Sequence, residues 1–404
     1  MSGVPGAARA VFRGARGAEA EAEARDARAP ATAEAWLLAV TKFTERHRSR
    51  HDQRVRKARS RAALAEVKLF EVPQQARGTV RLAWDGKPLS AEPRRGKIQV
   101  VEAGSDAVRL VQGDNAMTLA ALLPEMRARV TLVYLDPPFF TGRVHEKVTR
   151  QRDRAGKILR DLSPAFDDRW PDLPAYLASL RERLVLVREM LAPHGSAIVH
   201  VDPRTSHYVK VLGDEVFGPT AFASEIVWRY RRWPSKTPNF QRVHDVLLRF
   251  VRDPSEKPRF VQLFEPLAPS TQSTWGSGRQ RAVVGASGRR ERSSTTAEPS
   301  PGAPLGDVWE IGIIAPVSKE RTGYPTQKPE ALLERILRAC TLPGDLVLDP
   351  YAGSATTLAV AARLGRRAVG IDESPVAIRV ARERLGALGF APRHDRCVPV
   401  SRGG

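Results

Sequence analysis

Cysteine is nearly absent: Cys340 and Cys397 are the two thiols in 404 residues. They are too few for a disulfide framework and fall in no metal-ligand spacing, so a reducing compartment, the cytoplasm, is the expected location. No apolar stretch approaches the roughly 18 residues that a bilayer-spanning helix needs, which leaves no expectation of a membrane partner. Histidine is scarce as well, and no Ser-His-Asp arrangement or His/Cys/Asp cluster of metal spacing is readable. His200, inside the apolar run Ala197–Val201, reads as a satisfied core residue rather than a catalyst. Acid is short relative to base, with 45 Asp and Glu against 65 Lys and Arg, a formal charge of +20. That balance favours a polyanionic partner, although an Ala/Arg-rich composition alone would produce part of it.

The length suits one large or two moderate domains with a sizeable core. Residues 1–30 are poor in large apolar side chains and read as a disordered tail. Its start, Met1–Arg16, is similar to an organellar presequence until Glu19, Glu21 and Glu23 interrupt it. Residues 31–106 form a basic N-terminal extension. Within it Ala33–Lys68 has a helical pattern whose cations, Arg46 through Arg61, suit either phosphates or plain solvent, and 69–106 read as irregular with a turn at Asp85-Gly86. A core follows in two halves, 107–220 and 323–390, with a compositionally different insertion at 221–322 and a C-terminal tail at 391–404. The first half includes an amphipathic run, Pro174–Leu191, that suits a helix covering one sheet face.

Two segments carry the chemistry. In the first, the apolar run Val130–Leu135 leads directly into Asp136-Pro137-Pro138-Phe139. The Asp136 carboxylate and the Pro137 carbonyl each accept hydrogen bonds, the Phe139 ring offers a stacking face, and the two prolines hold the acceptors still. That combination suits a planar base with an exocyclic amino group; a plain strand-ending turn is the bland alternative. In the second, the strand Leu346–Leu348 runs into Asp349, Pro350, Tyr351, Ala352, Gly353 and Ser354, then into a helical pattern through Leu364. A further strand, Arg367–Ile371, ends in Asp372 and Glu373, about twenty residues beyond that turn, where a Rossmann-type unit places the acid that binds ribose hydroxyls. The helix after it has Ser374 as N-cap and Pro375 at its first position. An ordinary βαβ unit without a ligand would look the same.

Together, and in this order, the two segments resemble the S-adenosylmethionine-dependent amino-group DNA methyltransferases, in the subclass whose catalytic motif precedes its cofactor motif. Further segments carry the likeness. Val111-Gln112-Gly113-Asp114-Asn115 is similar to the family segment that meets the cofactor's adenine, and Gly195–Asp202 with Ser206-His207-Tyr208 and Phe217-Gly218 to its next strand and helix. Glu225-Ile226-Val227-Trp228 followed by His244-Asp245 matches the opening of a target-recognition region. Tyr324-Pro325-Thr326-Gln327-Lys328-Pro329 resembles the segment that cups the methionine end of the cofactor. The likeness spans about 108–388. Two departures stand out: Phe139 replaces a common tyrosine, which stacking does not need, and Ala355 replaces a usual glycine, which alanine can serve at negative φ.

The resemblance implies an α/β fold, a doubly wound, mostly parallel Rossmann-like sheet with an inserted target-recognition region, built on strands near 107–112, 130–135, 197–201, 345–349 and 367–371. It implies that a flipped base stacks on Phe139 and is held by Asp136 and Pro137, with Pro138 stiffening the turn. It assigns the ribose to Asp372 and Glu373, the adenine to Asp114 and Asn115, the methionyl portion to the Asp349–Ser354 turn, and the carboxylate to amides near Thr326, Gln327 and Lys328. Aspartate at position 136 favours adenine N6 over cytosine N4. In the insertion, Arg229, Tyr230, Arg231, Arg232, Trp233 and Lys236 interleave aromatic and basic groups as a surface for double-stranded DNA would, while an inner strand face formed by Ile226, Trp228 and Tyr230 is the alternative. Pro269–Pro304, rich in Ser, Gly, Thr, Pro and Arg, reads as a loop that orders on DNA. A homodimer and a cognate restriction endonuclease are partners compatible with the family. Other readings are methylation of a protein glutamine, which a related Asn-Pro-Pro-aromatic motif performs, and a DNA-binding module that has lost catalysis.

Overall fold

The structure, a computed structural model, describes residues 80–88, 93–152, 158–234 and 236–400. They all belong to one compact unit, Leu69–Gly404. The expected tail at 1–30, the basic helical stretch at 33–68 and residues 401–404 lie outside the described residues.

In chain order the elements are β1 (Gly96–Glu102), β2 (Ser105–Gln112), α1 (Asn115–Met126), β3 (Val130–Leu135), β4 (Val144–Arg152), β5 (Ile158–Asp167), α2 (Leu173–Met190), β6 (Leu191–Val201) and α3 (Ser206–Phe217). There follow β7 (Phe222–Arg229), β8 (His244–Val251), β9 (Phe264–Glu265), α4 (Pro269–Trp275), β10 (Gly278–Val284), β11 (Arg290–Pro299), β12 (Ala303–Pro304) and β13 (Val308–Glu310). The last elements are α5 (Glu330–Cys340), β14 (Leu346–Asp349), α6 (Thr356–Arg363), β15 (Arg367–Asp372), α7 (Pro375–Ala387) and β16 (Pro392–Pro399).

Ten strands form one sheet in the order β1-β16-β2-β15-β14-β3-β6-β8-β7-β13. From β16 through β6 every neighbouring pair is parallel; β8 then runs antiparallel to both β6 and β7. All six residues of β3 are buried, as a central parallel strand covered on both faces requires, and this explains its unbroken apolar run. Helices cover the two faces. On one, α1, α2 and α3 supply Leu119, Leu122, Leu180, Leu184, Val209 and Leu212 to the core; on the other, Leu332, Leu333, Ile336 and Leu337 of α5 meet Leu358 and Ala359 of α6. Ser374, the N-cap read from the sequence, accepts from Ala377 N at 3.4 Å ahead of α7, and Asp172 likewise accepts from Ala175 N at 2.8 Å ahead of α2.

Three expectations need correction. Residues 391–399 are not a tail: β16 lies inside the sheet between β1 and β2, with Asp395 fully buried against Arg109 at 2.5 Å and Cys397 packed under Gly113. Its polar residues hid it from an apolar-pattern reading. Likewise 69–106 is not irregular throughout, because β1 pairs antiparallel with β16, although the Asp85-Gly86 turn is there. The Pro269–Pro304 loop holds the short helix α4 and the β10–β11 hairpin. Among the described residues no helix is long and apolar enough to cross a membrane, and both cysteines are buried and free.

Candidate functional site

Parallel strands put all their carboxyl ends on one sheet edge, and a pocket opens there where β14 and β3 adjoin. Its walls bring together segments from 114 to 373, including Asp114, Asn115, Asp136, Pro137, Pro138, Phe139, Thr326, Gln327, Lys328, all of Asp349–Ser354, Asp372 and Glu373. Every sequence-predicted catalytic and cofactor residue therefore lines one cavity, and none of the Arg229–Lys236 set does.

Backbone hydrogen bonds brace the turn after β14. Asp372 accepts from Gly353 N and from Ser374 N, both at 2.9 Å, and its own carbonyl accepts from Gly113 N at 3.0 Å. The Asp349 carboxylate accepts from Tyr351 N at 3.0 Å, and Asn115 donates to Pro350 O at 3.2 Å. Gly353 has φ of +50°, and a Cβ there would lie 3.2 Å from the Tyr324 ring, so a side chain would crowd the pocket wall. Ala355 takes φ of +58° while fully buried, so the expectation of a negative φ fails. The turn holds alanine in a left-handed conformation at a cost on the order of 1 kcal/mol.

Burial pushes the Asp349 carboxyl up to about 7 and that of Asp372 up to about 6. Along the pocket wall Asp114, Asp136, Asp167, Asp168, Asp349, Asp372 and Glu373 outnumber Arg183 and Lys328. This donor set fits S-adenosylmethionine on chemical grounds, since the cofactor is a sulfonium cation with hydroxyl and amino donors to be accepted.

Several of these residues have side chains with partners of their own. Asp114 caps α1, accepting from Met117 N at 2.8 Å, and its second oxygen faces Arg183 at 3.3 Å. The Gln327 side chain is used within its own loop, accepting from Thr322 N and Oγ1 at 2.8 Å and donating to Glu320 O at 2.6 Å. The Lys328 side chain reaches from the Thr326–Lys328 segment to the Asp136–Phe139 turn. Its Nζ bridges both oxygens of Asp136 at 2.7 and 2.6 Å and lies 4.8 Å from the centre of the Phe139 ring.

Two supports of the Asp136–Phe139 turn were not read from the sequence. Asp168, 1% exposed, accepts from Phe139 N, Phe140 N and Thr141 N at 3.2, 3.0 and 2.9 Å and from Thr141 Oγ1 at 2.6 Å. It pins the turn from the end of the β4–β5 hairpin; the signal available was an acid pair, Asp167-Asp168, just ahead of Trp170. The second support is a buried polar chain. Burial, and Asp136 beside it, push the Tyr134 phenol up; its hydroxyl lies 2.8 Å from His200 Nδ1, and His200 Nε2 lies 3.4 Å from Asp245. Burial opposes ionisation of Asp245, but His200, Lys328 and the hydroxyl of Tyr230 together hold its carboxyl below the usual range. His200 is thus the satisfied core residue that its surroundings suggested, with its ring 5.4 Å from that of Phe139.

In the insertion, Ile226, Trp228 and Tyr230 are buried on the inner face of β7 and just beyond it, so Tyr230 is corrected from surface residue to core. Arg231, Arg232, Trp233 and Lys236 are exposed, and Arg229, also exposed, pairs with Glu310.

Comparison with known proteins gives a consistent picture. Residues 130–383 match the N6_N4_Mtase family, described as DNA methylase. The chain is 29% identical to the type II methyltransferase M.EcaI of Enterobacter cloacae over 334 residues, 70% of each chain. It is 28% identical to the DNA adenine methyltransferase YhdJ of Escherichia coli over 70% of this chain and 84% of that one. It is 30% identical to the type II methyltransferase M.HpaI of Haemophilus parainfluenzae over 52% of this chain, a match that spans 59% of that relative's length. With the catalytic and cofactor segments meeting in one pocket and a family match over more than half its length, the chain belongs to the DNA methylase family, the S-adenosylmethionine-dependent methyltransferases of amino groups in DNA bases.

Proposed function

We propose that this protein methylates N6 of adenine in double-stranded DNA, with Asp136, Pro137 and Phe139 holding the flipped base. The observation that carries the reading is the position of Lys328. A nitrogen donor sits on both Asp136 oxygens and over the face of Phe139. That is the seat a target amino group requires, and an incoming base takes it by displacing the ammonium.

In this seat Asp136 and the Pro137 carbonyl accept from the amine, draw its lone pair out of conjugation with the ring and fix its direction; Asp136 is placed to take the proton the nitrogen sheds. Asp168 holds the amides of Phe139, Phe140 and Thr141, so the acceptors are oriented before the base arrives. S-adenosylmethionine supplies, when bound, a methyl group on a sulfonium that is already an activated leaving group, so no metal or acid is required. Asp372 and Glu373 would accept from its ribose, Asp114 with Asn115 would meet its adenine, the Asp349–Ser354 turn its methionyl chain, and amides near Thr326–Lys328 its carboxylate. Adenine is favoured over cytosine by aspartate at 136 and by the relative named as a DNA adenine methyltransferase.

The test is long-read sequencing that detects methylated bases in DNA from cells expressing the chain, with Asp136→Ala as control. A methylated motif present with the wild type and absent with the variant supports the reading; identical DNA in both refutes it.

A further inference from the structure

The β7–β8 loop carries a feature that the pocket does not use. Because β8 is antiparallel to both β6 and β7, β7 ends on the same sheet edge as β3, β6 and β14. The loop therefore leaves the sheet beside the catalytic turn. Tyr230 N donates to Val243 O at 2.9 Å and closes its stem, and Gln241 Nε2 donates to Trp233 O at 2.8 Å across its arms. Trp233 is 91% exposed and Phe240 101%, so two large rings stand in water on one braced loop. Scattered surface apolar residues are ordinary, but here both rings adjoin the hydrogen bond that joins the loop's two arms. The loop's own charge has one sign: residues 229–243 contain Arg229, Arg231, Arg232, Lys236 and Arg242 and no acid, while Arg229 pairs with Glu310 and Arg242 with Asp202 outside it.

The stem is also tied to the active site. Rings follow one another from Phe139 to His200 at 5.4 Å, Trp228 at 5.5 Å and Tyr230 at 4.9 Å, and Arg232 lies over Tyr230 at 5.1 Å. A fixed spacing between the base-stacking ring and the loop follows from this buried ladder.

Resting on the DNA methylase reading, we propose that Trp233 and Phe240 form an aromatic wedge that enters the base stack next to the target. Turning a base out of a duplex leaves a gap and an unpaired partner base. Aromatic side chains fill such gaps by stacking, and the neighbouring cations hold the phosphates on either side. Duplex DNA is the occupant that both properties fit, since a neutral apolar partner would leave Arg231, Arg232 and Lys236 without an anion.

The experiment uses the full chain, the Trp233→Ala/Phe240→Ala double variant and a duplex that the wild type methylates. Rates are measured on that duplex and on a second in which the nucleotide opposite the target is abasic, so that the target is already unpaired. The wedge predicts that kcat/KM falls by about 10- to 100-fold on the paired duplex and returns to within about threefold of wild type on the abasic one. Equal losses on both duplexes, no loss on either, or a loss that accompanies a change from dimer to monomer in sedimentation would overturn it, the last by assigning the rings to self-association. Failure of the wild type to methylate any duplex would instead remove the reading on which the wedge rests.

Discussion

Two stretches of the same sheet edge hold their side chains in opposite ways. At the ends of β3, β14 and β15, Asp136, Asp349 and Asp372, and beside them Asp168 from the end of the β4–β5 hairpin, each have partners between 2.6 and 3.2 Å, supplied by backbone amides, by the Thr141 hydroxyl or by Lys328. Beyond β7, Arg231, Trp233, Lys236 and Phe240 are exposed, and Arg232, also exposed, rests on Tyr230. The difference suits the two tasks proposed for them. Orienting one nitrogen requires groups fixed before the substrate arrives, because reorganisation would add to the barrier. Gripping a deformable polyanion requires charge and stacking surface that adjust to it. The buried ladder from Phe139 to Tyr230 joins the two, so the adaptable side is referenced to the rigid one.

The comparison breaks most visibly at Asp136. Asp136→Ala is expected to lower methyl transfer by about a thousandfold or more while leaving DNA affinity within a few-fold, the pattern of an interaction made in the transition state. Radiolabelled transfer assays beside fluorescence anisotropy check it, and parallel losses in both would merge the two regions. Arg231→Glu/Arg232→Glu should do the reverse. DNA affinity is expected to fall by about 10- to 100-fold and the slope of log affinity against log salt to flatten by about two, one per lost phosphate contact. A slope equal to wild type would remove these residues from the DNA surface.

Smaller effects sharpen the rigid side. Asp372→Ala should weaken S-adenosylmethionine binding by about 10- to 100-fold in calorimetry, the scale of lost charge-assisted hydrogen bonds. Asp168→Asn replaces an all-acceptor group with one that also donates toward the amides of Phe139, Phe140 and Thr141. A loss of about tenfold in kcat, with cofactor affinity within about twofold of wild type, is expected from a misoriented turn.

The smallest effect is in pH. Burial raises Asp349 to about 7 and Asp372 to about 6, so both are ionised near pH 8 and protonated below pH 6. A cationic cofactor favours the ionised forms, and its affinity should fall several-fold as pH drops from 8 to 5.5. Folding runs the other way: a carboxyl raised above its unfolded value contributes stability below that value and loses it as pH rises through the folded one. These two groups should therefore raise the melting temperature of the ligand-free protein over the same descent. A melting profile that follows cofactor affinity would contradict this account of the pocket.

The placement of the candidate site was legible where local sequence fixes geometry. Asp136–Phe139 and Asp349–Ser354 each sit at the end of an apolar strand, and a parallel sheet carries such ends to one edge whatever lies between them. What could not be read depends on long-range pairing. β16 is polar in sequence because its Asp395 meets Arg109, 286 positions away, and Asp168 gains meaning only when the β4–β5 hairpin returns it to residues 139–141. For Tyr230 the sequence left a surface and an inner-face reading open, and what decides between them is Asp245, on the neighbouring strand, accepting from its hydroxyl at 3.0 Å. Ala355 shows the limit of a rule read locally, since its buried turn imposes a left-handed backbone that alanine alone disfavours.

The central claim is that the seat between Asp136 and Phe139 takes the amino group of adenine. It is tested most directly by treating unmethylated duplex DNA with the protein and S-adenosylmethionine, digesting to nucleosides and identifying the products by mass spectrometry. The account predicts N6-methyladenine with the wild type and none with Asp136→Ala. N4-methylcytosine without N6-methyladenine, or N6-methyladenine undiminished in the variant, would contradict it.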